Sequence, residues 1–449
     1  QRGVGEVLGG RSCSGQKTAL RVLRMSEQMS WMRTAAEAVW RMRRDIVSDG
    51  YDEALHRLAT NVPMTIHEYP TGTECFTWIV PEKWTCRQAR LETLDGKMVF
   101  SDRENPLHVM SYSLSFSGEV TREVLFNHLH THKKIPEAVP FIFKYYERDW
   151  GLCCSQILKN TLADEKYRVI IESEFSAGTL KVGEVLVQGQ SDECYVFCAH
   201  LCHPHQFNDD LAGVLCGLET MRQLAQGPPP RFSYRLLILP ETIGSAAWLS
   251  HNESLIPSFR GGLFLEMLAT SHAHAFQSSF SGDSDMDQAC RQVLAERDPD
   301  HWEGGFLKVV LNDERMFNGP GVRVPMASLS RILPRDQFFS PYREYHSDED
   351  SPKAGSFSNL EASCDLVMAV VNALERNLVP IPLFKGEIFC SRYKGIEYKR
   401  MAPLVFSVPY LMDGNRTVLE IADESGQPLT VVLGFLDVLV SEGLARWSD

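Results

Sequence analysis

The sequence predicts an α/β fold, a sheet flanked by helices, joined to a small β-rich insertion and a helical C-terminal segment. Between residues 166 and 378, apolar runs (183–188, 194–199, 234–239, 262–265) alternate with helical stretches (211–225, 362–375). That is the pattern of strands covered on both faces. The chain has 449 residues, more than one ordinary core serves, so two or three domains are expected. Its 44% hydrophobic and 23% charged residues match an average globular chain.

Taken in order, residues 1–24 carry five Lys/Arg against Glu6 and are Gly-rich, and are expected to be a tag or extension. Residues 25–61 are expected to pack on the α/β domain as a helix, with Trp31, Ala35, Val39, Met42 and Ile46 at helical spacing. Residues 62–165 predict a β-rich module, with short alternating strands at 76–80, 98–100 and 108–112. Residues 166–380 form the α/β domain. Pro380 and Pro382 mark a linker, and 384–449 reads as a helical segment with the order of a winged helix-turn-helix.

Composition excludes several classes. The net charge of −13 argues against broad phosphate-backbone binding. No run approaches the roughly 20 apolar residues of a transmembrane helix. The cysteines sit in apolar runs, as buried free thiols do, which predicts a reducing, cytoplasmic setting. No dinucleotide-binding or Walker glycine motif, nucleophile elbow or zinc-ribbon spacing is present.

The chemistry-bearing residues stand at strand ends. His200 follows the run 194–199, with His203 close behind. Glu241 follows the run 234–239 and Pro240, and Glu266 ends the run 262–265. Asn208-Asp209-Asp210 precedes the helix at 211, and His346 stands in the acidic stretch 345–350. Ligands bind at the carboxyl ends of strands in open α/β sheets, and imidazole with carboxylate suits zinc. Asp209 and Asp210 also suit a helix N-terminus. Glu241 and Glu266 each close a buried strand and need a partner there. His128, His130 and His132 alternate, which places them on one face of a strand, a polar face rather than a ligand set.

Asp209-Asp210-Leu211-Ala212-Gly213, Pro240-Glu-Thr-Ile-Gly-Ser245 and Tyr345-His346-Ser347 resemble motifs of the di-zinc aminopeptidases and the glutaminyl cyclase-like clan. With His200-Leu-Cys-His-Pro204 and Asn312-Asp-Glu-Arg315, the chain from about 30 to 449 is similar to aminopeptidase-like proteins that carry an inserted β module and a C-terminal winged helix. The resemblance implies a mixed sheet of the zinc exopeptidase type. It implies one zinc on His200, Asp209 and Glu266, with Asp209 bridging to a second zinc on Glu241 and His346. His203 is a candidate additional ligand. Two departures stand out. Cys202 replaces an acid that orients the first His in the clan, and Pro240-Glu241 replaces a Glu-Glu pair. Glu241 can therefore be ligand or general base, with Asp313 or Glu314 as other candidates for the base.

The implied activity is zinc-dependent cleavage of a peptide or small amide by metal-activated water, with the substrate amine held by Glu266, Asp348 or Asp350. The alternative is a catalytically impaired binding or regulatory protein. A DNA-binding regulator fits less well, since 384–449 carries seven Lys/Arg against nine Asp/Glu. That segment is instead expected to pack on the enzyme, on a protein partner or on a second copy.

Overall fold

Seven consecutive buried residues, Cys194–His200, can only be a strand covered on both faces. In the computed structural model, which describes residues 30–334 and 340–448, this strand lies inside an eight-stranded mixed sheet. It pairs in parallel with Ser233–Leu239 on one side and Phe259–Leu265 on the other. Met326–Arg331 extends the parallel set beyond Phe259–Leu265. Antiparallel strands close both flanks: Thr179–Val187 and Thr65–Pro70 on one, His274–Gln277 on the other, with Trp302–Gly304 at the edge. Parallel neighbours run the same way, so the carboxyl ends of the three central strands open on one edge of the sheet.

Helices Leu211–Gln226, Ile243–His251, Asp285–Arg297 and Phe357–Glu375 supply the apolar cover. Side chains start three of them: Asp210 accepts from Gly213 N, Ser284 from Asp287 N and Ser356 from Asn359 N. At the N-terminus one helix was expected over 30–60, and two are found. The first covers 30–39, and the second is Asp49–Ala59. Ser48 starts the second by accepting from Tyr51 N at 3.2 Å, and the turn between them carries Arg44 into the interior. The first helix is tied to the body through Trp31 Nε1, which donates to buried Glu219 at 2.8 Å.

The insertion is a four-stranded antiparallel sheet in the order Met98–Ser101, Lys83–Thr93, Lys166–Ser176, Phe116–Thr121. Its sheet membership departs from a boundary at 62 and 165. Thr65–Pro70 belongs to the large sheet, while Lys166–Ser176 is the long strand of the insertion's sheet. The expected strand at 108–112 is a short 3-10 helix, Pro106–His108, followed by single bridges. Asn105 accepts from Leu107 N and Pro106 fixes the first position, which starts a helical turn. The run 76–80 is a hairpin of Glu74–Cys75 with Trp78–Ile79, turned by Phe76 at φ 56°. The three alternating histidines do not share a strand face either. His128 ends helix Arg122–His128, His130 lies in a two-residue strand, and His132 is in a loop.

After Pro380–Pro382, which pairs with Ala445–Trp447, come a 3-10 helix and four α-helices, the last two being Val418–Ser425 and Leu429–Ser441. This segment docks on the α/β body. Glu296 accepts from Thr430 N at 3.0 Å and from Thr430 Oγ1 at 2.7 Å, and Asn377 Oδ1 accepts from Leu419 N at 3.1 Å. The expected tag at 1–24 and the start of the N-terminal helix lie outside the described residues. The eleven cysteines among the described residues are free thiols. Among those residues no helix is long and apolar enough to cross a membrane.

Candidate metal centre

His200 is the last residue of its strand, Glu241 comes two residues after the next strand, and Glu266 comes one after the third. The shared strand direction therefore delivers all three to one edge. Asp209 arrives on the loop between His200 and the helix at Leu211. That loop is held by buried Asp350, which accepts from Asn208 N at 2.8 Å and from Asp209 N at 3.0 Å. The Asp209–Asp210 peptide bond is cis. Asp210 faces away from the cleft and joins three elements, accepting from Gly213 N and Met267 N at 3.0 Å and from His200 N at 3.3 Å.

Two donor groups result, and Asp209 belongs to both. In one, His200 Nε2 lies 3.2 Å from Asp209 Oδ1 and 3.6 Å from Glu266 Oε1. In the other, His203 Nδ1 and His346 Nε2 each lie 3.1 Å from Asp209 Oδ2. The donor atoms within each group are all within 4.8 Å of one another. A third such group, His200, Cys202 and His203, shares its histidines with these two. His200 Nε2, His203 Nδ1, His346 Nε2, both Asp209 oxygens and Glu266 Oε2 are buried without a hydrogen-bond partner. Buried polar atoms of native proteins are nearly always satisfied. Six convergent orphans with imidazole and carboxylate chemistry fit a divalent metal.

Electrostatics agree with this geometry. Burial alone would raise the Asp209 carboxyl, yet the imidazoles of His203, His200 and His346 hold it well below the usual carboxylate range. Burial would depress His200 and His203, and Asp209 drives both well above the ordinary imidazole value. Glu266 is pushed up to about 7, by burial first. The same carboxylates that hold protons on these imidazoles would hold a cation, whose binding displaces those protons.

Glu241 stands apart from the convergent groups. Its Oε2 lies 3.1 Å from His203 Nε2, and its side chain keeps 29% of its exposure at the cleft. It therefore backs His203 as a carboxylate backs a metal-ligating imidazole. Cys202 Sγ accepts from Glu241 N at 3.1 Å, and His200 Nδ1, which an acid at 202 would orient, is without a hydrogen-bond partner.

The Asn312–Arg315 segment supports the site from below. Asn312 Nδ2 donates to Glu266 Oε1 at 2.5 Å. Asp313 Oδ1 accepts from Thr242 N at 2.8 Å and Ser245 Oγ at 2.5 Å, which fixes the turn after Glu241. Glu314 is buried, and its carboxylate accepts from Asn312 N at 3.0 Å and Gln277 Nε2 at 3.2 Å. Asp313 Oδ1 and the Glu314 carboxylate are thus engaged by neighbouring donors, while Asp313 Oδ2 is buried without a hydrogen-bond partner. Asp348 and Asp350 are likewise occupied. Asp348 accepts from Val139 N at 2.8 Å and Asn105 Nδ2 at 2.7 Å, while Asp350 also accepts from Tyr342 Oη at 2.8 Å.

Two contributors were not foreseen. Arg44, fully buried, donates to the carbonyls of Val39, Gln206 and His203. Its sequence signal was a charged pair, Arg44-Asp45, inside an apolar periodic stretch. The other is Phe141 of the insertion. Its ring centroid lies 5.0 Å from that of His203 and 5.5 Å from that of His346. Phe141 N donates to the His346 carbonyl at 2.8 Å, and Pro140 forms a bridge with Ser347. No local sequence pattern marks a contact across 200 residues.

Known proteins resemble this chain over most of its length. A Clostridium acetobutylicum protein, described as a candidate polysaccharide biosynthesis protein with an aminopeptidase-like domain, is 29% identical over 398 residues, 87% of this chain and 90% of that one. A crystal structure of a candidate peptidase from the same organism superposes with a TM-score of 0.86 at 27% identity, over 96% of this chain and all of that one. A zinc aminopeptidase from Bacillus subtilis shares the fold at a TM-score of 0.57 and 13% identity, over 77% of this chain and 94% of that one. The M28 peptidase precursor of Shewanella amazonensis does so at 0.56 and 14%, over 80% and 96%. The fold is thus that of the aminopeptidase-like α/β proteins. Residues 33–377 match the family described as a domain of unknown function, DUF4910, and the chain belongs to that family.

Proposed function

We propose that this protein is a metal-dependent hydrolase of the aminopeptidase type, cleaving a peptide or small amide bond, with zinc as the metal. The observation that carries this is the set of buried, unpartnered donors shared around Asp209. His200, Asp209 and Glu266 would hold one ion, and His203, Asp209 and His346 a second. When bound, such ions polarise a carbonyl and lower the pKa of water. His203 takes the place in the second group that the resemblance gives to Glu241. That leaves Glu241, at the cleft, as the acceptor for the proton released when water attacks. The tautomer follows: with Nδ1 of His203 turned to Asp209, its Nε2 carries the hydrogen given to Glu241. Phe141 excludes solvent from one side of the imidazoles.

Metal analysis of the purified protein, with the variants His200→Ala and His346→Ala, tests the centre. Each should lose about one equivalent of zinc, and full retention by both would end this reading. For the chemistry, Glu241→Gln should retain zinc while losing at least about 100-fold in turnover of aminoacyl anilides.

Pro240, standing where the clan has the first Glu of its pair, favours a second reading: a binding protein that keeps the metals without turnover. The same anilide screen separates the two, because that reading requires no hydrolysis by zinc-loaded wild-type protein.

A further inference from the structure

We propose that the open cavity beside Tyr145 is the leaving-group subsite, and that it takes an uncharged, ring-bearing side chain on the amine side of the bond cleaved. This inference rests on the hydrolase reading. The cavity has a volume of about 670 Å³ and is walled by residues within 71–82 and by Tyr145, Tyr146 and Arg148 of the insertion.

Three observations lead to it. The first is continuity with the donors. Phe141, Phe143 and Tyr145 alternate in sequence, and their rings form a row. Centroids are 5.3 Å apart from Phe141 to Phe143 and 4.6 Å from Phe143 to Tyr145. Phe141 packs on His203 and His346, so the row runs from the second donor group to the cavity. Phe143, in the middle, is 39% exposed, which leaves the row open to a ligand.

The second is direction. The row ends on the Glu241 side of the cleft. The Tyr145 phenol is pushed well above its ordinary range by burial first, then by Cys202, Asp45 and Glu241. The hairpin of Glu74–Cys75 with Trp78–Ile79 packs on helix Ile243–His251, which begins two residues after Glu241. In the hydrolysis proposed above, the water oxygen bonds the carbonyl carbon and the C–N bond breaks. The proton taken up by Glu241 passes to the leaving nitrogen. The amine half of the substrate therefore lies toward this cavity.

The third is lining. Trp78, Tyr145 and Tyr146 supply rings, with Ile79 beside them, and Ile79 and Tyr146 are more than half exposed. Large apolar groups gathered at a surface mark a binding site. The polar side chains around them are engaged with the protein itself. Tyr146 Oη donates to the Ile79 carbonyl at 2.9 Å, Thr71 Oγ1 donates to the Pro81 carbonyl at 3.0 Å, and Arg148 pairs with Glu82. The charges of that pair answer each other, so a charged side chain gains little there. Ring faces remain as the recognition surface, and they suit another ring.

The test uses phosphinic pseudodipeptides, which are metal-directed and uncleavable. Alanine stands on the acyl side, and phenylalanine, glycine, lysine or glutamate on the amine side. Affinity for the zinc-loaded full chain is read by calorimetry. The phenylalanine analogue should bind about tenfold tighter than the glycine analogue through the area its ring buries. The lysine and glutamate analogues should both bind more weakly than the phenylalanine one. Tyr146→Ala should cut the phenylalanine preference at least about threefold. Tyr146→Phe, which keeps the ring and drops only the bond to Ile79, should keep that preference. Equal affinities, a preference for a charged analogue, no binding of any analogue, a smaller cut in Tyr146→Ala, or loss of the preference in Tyr146→Phe would each overturn the subsite. Failure of the hydrolase reading is separable. Phenylalanine preference in binding, with no turnover of any anilide or dipeptide, leaves the pocket and removes the hydrolase. Turnover of alanyl dipeptides with a kcat/KM indifferent to the second residue does the opposite.

Discussion

Arg44 reaches from the N-terminal segment to donate to the main-chain carbonyl of His203, and from the same nitrogen to that of Gln206 at 2.9 Å. The guanidinium is wholly buried, and burial lowers its pKa to about 10 against the pull of Cys202 and Asp350. It stays charged at neutral pH and holds the loop that presents His203 Nδ1. Arg44→Met should therefore weaken the second metal about 10- to 100-fold, as loss of an outer partner of a metal ligand does. It should also destabilise the fold by about 2–4 kcal/mol through the carbonyls left unpaired. Zinc titration and urea unfolding measure the two effects separately.

Gly213 has no room for a methyl group. A Cβ there would stand 2.2 Å from the Leu265 carbonyl oxygen and 2.5 Å from Asp210 Oδ1. Gly213→Ala should cost about 2–4 kcal/mol. It should also lower zinc content, because the displaced neighbours are the residue before Glu266 and the residue after Asp209. Retention of both wild-type stability and zinc would contradict the packing described.

Metal should stabilise the fold, since the donors converge only in the native chain. At zinc 100-fold above its dissociation constant, the gain is about 2.7 kcal/mol per site. Chelation should lower the thermal midpoint of the wild type and leave that of His200→Ala/His346→Ala nearly unmoved. Scanning calorimetry with and without chelator decides it.

His274 gives a pH dependence remote from the metal centre. Burial first, then Arg331, lowers its pKa from 6.5 to about 4 despite Asp298 Oδ2 at 2.6 Å. Between pH 6.5 and 4 the unfolded chain takes up a proton that the folded site refuses. Stability therefore falls as pH falls through that window, by up to on the order of 3 kcal/mol. In urea titrations at pH 7 and 4.5, His274→Gln should lose less stability than wild type on acidification. An equal loss would remove His274 as the cause.

Much of this centre was legible because the chemistry interrupts apolar runs. His200, Glu241 and Glu266 each stand where a buried strand stops, and Asp209 stands where a helix starts. Periodicity could not show what lies opposite. His203 was readable as a loop histidine or an additional ligand, and its pairing with Asp209 on one nitrogen and Glu241 on the other needs the fold. Asp348 and Asp350 stand in sequence as candidates to hold a substrate amine, and their hydrogen bonds to backbone donors of two other segments show only in the fold. The strands His274–Gln277 and Trp302–Gly304 are short, and the polar Gln277 and the glycine leave no alternation to read. Sequence could not assign Thr65–Pro70 and Lys166–Ser176 to a sheet, because that depends on which strand each one meets.

The rung between Val139–Phe141 and His346–Asp348 has a consequence for how relatives of this protein can diverge. One imidazole of the second donor group is positioned by two stretches of chain some 200 residues apart, one of them in the insertion. A lengthened or exchanged insertion loop would move His346 before it touched any substrate. Retargeting the cleft by loop exchange must therefore carry the rung across intact, with the insertion treated as part of the donor site.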